Sequence, residues 1–405
     1  MRKIFIRYQN CFFISSFFLM LLIIALCYFV DPYAVYGRVY KKNSQNVNGH
    51  GFASQLRMSK VVAIKRQRPQ VLLMGSSRAA FGFSADSVQS YFPNQSIYNL
   101  GLLGITEYEL WRYFQHAAAF NSLKQVVIGL DLLQFNANQP MRPDFVEQRL
   151  QVDVHNQPNQ VYLGDYLPTL FSVDAVVTTF KEITHTAKQQ DLYFTNGFRV
   201  AYADTGTLNN FIINEGGYVN GVYSHFAFRT ANGSMDTLVC FQRILELARQ
   251  KQIQLHLFIS PAHARQWETV ESMGLWQTWE EWKRQLVAMN ERIAKQYDVQ
   301  PFKLYDFSGY SRYSTEQVPR EPGKTTRWYR DSAHFLPVLG ERVLQRMFKP
   351  TAADNGFGVL LTSATIEENL KVIRAGHLRY VASHPLDKAD IDKLVQERVQ
   401  RLGRL

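Results

Sequence analysis

From Cys11 to Val30 the chain reads CFFISSFFLMLLIIALCYFV, twenty residues without a charge. At about 1.5 Å rise per residue, a helix of that length covers a hydrocarbon core of roughly 30 Å. Any fold for this chain therefore has to begin at a membrane. A cleaved signal peptide is the rival reading, but the run is longer than the usual apolar region of such peptides and is followed by Asp31 and Pro32 instead of a small-x-small cleavage site. A lipoprotein signal also fits poorly, because Leu26 stands where a small residue should precede Cys27. Arg2, Lys3 and Arg7 before the helix nearly balance Arg38, Lys41 and Lys42 after it. Long domains translocate largely regardless of their own charge, so the favoured orientation is a short cytoplasmic tail (1–10), a transmembrane helix (11–30) and a large domain outside. Residues 31–69 read as a juxtamembrane linker, either solvated or, through Lys65, Arg66 and Arg68, in contact with anionic headgroups.

The rest of the chain is long enough to hold a large core. With 46% apolar residues over 405 positions, disorder is not the expectation. The formal charge of +11 attracts anionic partners, yet the basic residues are spread out and no DNA- or RNA-binding motif occurs. Nucleic acid is therefore not expected, and an anionic membrane surface or polymer fits better. Cys11 and Cys27 lie in the apolar run, leaving Cys240 alone beyond it, so no disulfide is expected in the soluble part. No cluster has metal-ligand spacing and no Gly-x-Gly-x-x-Gly or P-loop is present, so neither metal nor nucleotide cofactor is expected.

Past residue 70 the pattern alternates. Short β-type runs at 71–74, 97–100, 125–131, 253–260 and 302–306 are interleaved with helical patterns at 107–120, 236–250, 276–297 and 337–348. Alternation of this kind predicts a parallel sheet covered on both faces, a three-layer α/β domain over 70–350. The rhythm fails between about 135 and 233, which reads as a large insertion and a candidate cap over the site. Residues 351–405 read as a C-terminal helical extension: one helix opening on a capping box from Thr365 to Glu368 and closing at Gly376, then a second after Pro385. These two helices either pack on the α/β core or dock a partner.

In open α/β sheets, ligands sit beyond the carboxyl ends of the strands. Reading just past each strand collects Gly75, Ser76 and Ser77, then Asn99, Gly101 and Gly104, then Asp131, then Ser260, Pro261 and His263. Asp331 and His334 stand three apart just before the last helix of the domain. A serine hydroxyl is a weak nucleophile near neutral pH and needs a base in hydrogen-bond reach, a task that suits histidine. Asp331 would hold the His334 imidazole in the required tautomer, and glycines at 75 and 104 would let backbone N–H groups approach an oxyanion. Ser76 reads as the turn and cap residue. Arg78 reads either as a guide for an anionic substrate or as a partner of a carboxylate, and His263 as a pocket-lining or a locally bonded histidine. His256, inside a β-run, reads as structural. Trp276, Trp279 and Trp282 form either a sugar-stacking platform or core packing.

In order and spacing these blocks resemble the SGNH (GDSL-type) hydrolase superfamily, a flavodoxin-like α/β fold of serine esterases and acyl or acetyl transferases. Gly75, Ser76 and Ser77 match the Gly-Asp-Ser block, with Ser76 in the aspartate place and Ser77 as nucleophile. Asn99 to Gly104 matches the second block, making Gly104 an oxyanion donor, and Asp331 with His334 matches the Asp-x-x-His block. Where the third block carries Gly-x-Asn-Asp, this chain has Gly129, Leu130, Asp131 and Leu132. An ionised Asp131 would oppose an oxyanion, so either it is protonated, or it caps the strand end, or the backbone donors of Ser77 and Gly104 suffice. The Gly-Ser-Ser form behind one membrane helix is similar to DltD-like proteins and other exported SGNH proteins that partner membrane-bound O-acyltransferases. The resemblance implies a membrane-anchored serine O-acyltransferase acting on a cell-envelope or exported polysaccharide at the bacterial inner membrane, its domain on the extracytoplasmic side. An envelope carbohydrate or lipid esterase with the same triad is the alternative, and a catalytically inactive scaffold for a membrane O-acyltransferase is another.

Overall fold

The computed structural model describes residues 2–38, 47–184, 192–200, 206–222, 225–349 and 356–402. The chain divides into two compact units, one made of Met1–Arg68 with Asp144–Tyr202 and the other of Pro69–Pro143 with Ala203–Leu405. Strands are numbered along the chain: β1 (Val47–Asn48), β2 (Val71–Met74), β3 (Ile97–Asn99), β4 (Gln125–Leu130), β5 (Tyr193–Phe194), β6 (Gln254–Ile259), β7 (Leu304–Asp306) and β8 (Val359–Leu360).

The second unit is an α/β domain on a six-stranded mixed sheet of order β3-β2-β4-β6-β7-β8. Its five α/β strands are all parallel, with Leu72 opposite both Tyr98 and Val126, Ile128 opposite Leu257, and Phe258 opposite Tyr305. They lie where the alternating pattern places them. Val71, Leu72, Leu73 and Met74 are completely buried, as are Val126, Val127 and Ile128, because a parallel strand between helical layers has no solvent face. The helices form two groups. Glu107–Ala118, Thr237–Gln250 and Trp276–Gln296 pack in series, while Ala85–Tyr91 packs with Pro337–Phe348. Right-handed crossovers through this strand order put the two groups on opposite faces. Taken in chain order, the parallel strands are arranged 2-1-3-4-5, and the order reverses between β2 and β4, the switch point at which doubly wound sheets bind ligands.

The structure departs from the sequence reading in several places. The sheet is not wholly parallel, since β8 pairs antiparallel with β7, Tyr305 opposite Leu360. Residues after 350 therefore extend the sheet before turning helical. The first C-terminal helix runs from Ile366 to Ser383, through Gly376, and has no capping box, because the Thr365 hydroxyl bonds the Leu360 carbonyl (2.8 Å) and the Thr362 N–H (2.9 Å). Residues 135–233 do not behave as one insertion either, since 144–202 belong with the N-terminal unit. Trp279 and Trp282 are fully buried, and Trp267 stacks on Trp279 at 4.5 Å, so these tryptophans are core rather than a sugar platform.

In the first unit, Ile4–Val30 is a helix long and apolar enough to cross a membrane. The segment expected as a linker is folded over its described part. In Leu56–Gln67, the side chains of Met58, Ser59, Lys60, Val61 and Ile64 are buried, and residues 39–46 lie outside the described residues. Cys27 and Cys240 are buried and no disulfide forms.

His256 on β6 is structural, as read. Its ring lies between Phe92 and Phe348 and bonds Gln125 Oε1 at 2.9 Å. Burial, assisted by the charge of Lys303, lowers its pKa to about 4. A histidine depressed in the folded state stabilises the fold above its unfolded value near 6.5, and that contribution is lost as the pH falls towards the folded value. The expected result is an urea midpoint that falls less steeply between pH 6.5 and 4 in His256→Gln than in the wild type. Parallel slopes would show that this ring does not titrate with folding.

Candidate active site

The site is built where β2 ends. Gly75 has φ +140°, a backbone state that side chains rarely adopt, and a Cβ there would stand 2.8 Å from the Gly129 carbonyl. A glycine thus lets the chain turn sharply against β4. Ser76 then caps the helix Ser77–Phe81, its Oγ accepting from the Arg78 N–H at 3.1 Å. Ser77 opens that helix with its side chain partly exposed.

Ser77 Oγ lies 2.7 Å from His334 Nε2, and His334 Nδ1 lies 2.8 and 2.9 Å from the two oxygens of Asp331. A carboxylate only accepts, so Nδ1 carries the proton and Nε2 is left to accept from the serine. Asp331 also accepts from the backbone N–H groups of Ala333 and His334, both at 2.9 Å. Burial alone would raise this carboxyl, but the neighbouring His334, with the hydrogen bonds from its ring, its backbone and Ala333, holds it below the ordinary carboxylate range. Asp331 therefore stays ionised wherever the protein is folded near neutral pH.

The loop carrying Asp331 and His334 is held from behind. The His263 N–H donates to the Ser332 carbonyl (3.0 Å), and the Ser332 hydroxyl reaches Asn214 (2.8 Å) and Gln266 (3.2 Å). His263 itself has no exposed surface. Its Nδ1 caps the helix Ala264–Ser272, and its Nε2 meets the Glu316 carbonyl at 2.8 Å. The expectation that His263 lines a ligand pocket is thus corrected, because a ring bonded at both nitrogens inside the core is a support. Burial lowers its pKa to about 4, which keeps it neutral.

Asn99 is likewise buried. It accepts from the Gly101 N–H at 2.8 Å and donates to the Ala79 carbonyl at 3.3 Å, pinning the loop after β3 against the helix that Ser77 opens. That loop also carries Gly104, exposed and at φ +59°. The Ser77 N–H opens a helix and so has no partner within it. Among the described residues neither it nor the Gly104 N–H donates to a protein acceptor.

Asp131 is 3% exposed, and both its oxygens are engaged. One accepts from the Ser76 hydroxyl, the other from Arg78 Nη1 at 2.8 Å, while its own N–H donates to Gln134 Oε1 at 2.7 Å. Of the alternatives open for Asp131, the structure realises the strand-end cap, with the added duty of bracing the serine turn. Arg78 is buried against this carboxylate, so the reading in which it meets a free anionic substrate gives way to the paired one.

The sequence reading missed Tyr218. It follows the helix Leu208–Gly217 in a π-helical turn, and its phenol accepts a hydrogen bond from Arg78 within the fields of Asp331 and Asp131. Burial, reinforced by the two carboxylates, pushes the phenol up to about 12. The only local signal was the Gly216–Gly217 pair before it, at a kind of irregularity that clusters at functional sites. No protein-family model matches this chain, and no curated protein matches it significantly.

Proposed function

We propose that the chain is an SGNH-type, membrane-anchored serine acyl-transfer enzyme that moves an acyl group onto a cell-envelope or exported glycan through an acyl-enzyme on Ser77. The observation that carries this reading is the Ser77–His334–Asp331 relay, with contacts of 2.7 and 2.8 Å at the switch point of a doubly wound sheet. His334 takes the Ser77 proton as the serine oxygen attacks the ester carbonyl, and returns it to the leaving alcohol. The Ser77 and Gly104 N–H groups hold the oxyanion. Tyr218, whose oxygen accepts from Arg78, keeps its own proton to donate and takes the place of the asparagine in the SGNH pattern. An acceptor hydroxyl, activated by the same His334, then resolves the acyl-enzyme; with water as acceptor the same residues make an esterase. The membrane helix supports a site outside the bacterial inner membrane, beside a membrane-bound O-acyltransferase that loads Ser77. No metal or organic cofactor enters the mechanism.

Active-site labelling tests the reading. Full-length protein in detergent is expected to form a fluorophosphonate adduct that maps to Ser77 by mass spectrometry and disappears in Ser77→Ala and His334→Ala. A folded protein that stays unlabelled would remove the activated serine and leave a scaffold.

A further inference from the structure

The last turns of the membrane helix are part of the folded N-terminal unit. Cys27, Tyr33, Val35, Met58 and Ala175 form one buried cluster, with Ile23 and Val176 packed against it. Thr179 Oγ1 donates to Cys27 Sγ at 3.5 Å. Asp31 ties off the helix end by accepting from the N–H groups of Val35 (2.8 Å), Tyr36 (2.9 Å) and Arg38 (2.9 Å). The element packed here is the helix Val173–Ile183, which buries Ala175, Thr178 and Thr179. Its other face carries Val173, Val177 and Phe180 at i, i+4 and i+7, exposed by 83%, 45% and 53%. The short helix before it, Tyr166–Leu170, adds Leu167, and Phe171 follows, both exposed as well.

Single exposed apolar side chains are ordinary, but five within fifteen positions on adjoining elements are a patch. Its depth is set by the membrane helix beside it. Contacts with Ile23 and Cys27 lie up to seven residues before Val30, about 10 Å down the helix axis. The level of the membrane surface is marked by Tyr28, Phe29 and Arg38, the guanidinium lying 4.5 and 4.8 Å from the two ring centres, an aromatic and basic group of the kind that sits at headgroups. We propose that helices 166–170 and 173–183 lie in the outer leaflet, with Leu167, Phe171, Val173, Val177 and Phe180 in contact with lipid acyl chains. An amphipathic element buried roughly 5–10 Å at the headgroup boundary is a known mode of attachment. Here it gives the anchor a second contact, which restrains rotation of the unit about a single membrane helix.

The test uses the full chain in lipid vesicles, with Cys11→Ser to remove the exposed native thiol. An environment-sensitive fluorophore is placed at Val173→Cys, Val177→Cys, Leu22→Cys inside the span, or Ala231→Cys in an exposed loop. Positions 173 and 177 are expected to be quenched by acyl-brominated lipid as strongly as position 22, and by aqueous iodide at least fivefold less than position 231. Iodide quenching equal to that at position 231 overturns the proposal. Protection from both quenchers also overturns it, by giving the patch to a second copy of the chain.

Discussion

Asp331→Asn is expected to lower turnover, and the rate of fluorophosphonate labelling at Ser77, by about 10⁴-fold, on the scale of the equivalent change in serine proteases. The asparagine oxygen would keep the N–H groups of Ala333 and His334, which now meet Asp331 Oδ1 at 2.9 Å. Its amide nitrogen would stand in the Oδ2 place, 2.9 Å from His334 Nδ1, where it donates and opposes an Nδ1–H, so the tautomer with Nδ1 accepting and the proton on Nε2 is favoured. A protonated Nε2 cannot accept from Ser77 Oγ, now 2.7 Å away. Because the backbone bonds survive, the fold should be retained. A loss below tenfold in a folded variant would show that the relay is not how the serine is activated. Ser76→Ala is the useful comparison, since it removes a cap and one bond to Asp131 but leaves the relay in place.

Arg265→Ala is expected to cost about 3–5 kcal/mol of stability, the range for stripping one partner from a buried ion pair. Arg265 is completely buried. It donates to both oxygens of Glu215 at 2.7 Å and to Asp387 at 2.8 Å and Asp390 at 3.1 Å. Burial pushes the Glu215 carboxyl up to about 7 even with Arg265 pulling the other way, so removing the guanidinium leaves a group that must give up its charge or its place. The C-terminal helix Pro385–Leu402 is held by this network, and so is the helix that ends two residues after Glu215, immediately before Tyr218. Urea unfolding of the full chain measures the loss. Arg265→Met combined with Glu215→Leu should recover part of it, because both charges leave together. A loss under about 1 kcal/mol would mean that the network contributes little.

Much of the site was legible because it is written in short patterns. A buried strand, a glycine and a serine pair occupy seven positions, and Asp331 and His334 stand three apart just before a helix, so Ser77, Asp331 and His334 could be singled out as candidates, with their roles implied by the SGNH resemblance. Asp131 was also found, as the residue after β4, but its partners were not. Nothing in a one-dimensional pattern says that Arg78 and Ser76 converge on its two oxygens. For His263 the sequence left two readings, pocket-lining or locally bonded, for a related reason: a residue beyond a strand end is near the ligand rim, yet its exposure depends on what packs above it, and here Phe211 and Tyr329 cover the ring. Tyr218 had no motif to announce it, since its position follows from a helix pinned through Glu215 rather than from its neighbours in sequence.

The same division runs through the whole chain. The twenty-residue apolar span, the strand–helix alternation and the local serine and Asp-x-x-His blocks were determined by sequence alone, since each depends on the periodicity or chemistry of adjacent residues. Tertiary structure decided what meets across long separations: the 257-residue step from Ser77 to His334, the pairing of β8, the folding of the supposed linker and the exposed apolar face of Val173–Ile183. Those outcomes depend on which apolar faces find each other once the chain collapses, and on whether each buried charge gains a partner. Both are properties of the packed chain and not of any stretch within it.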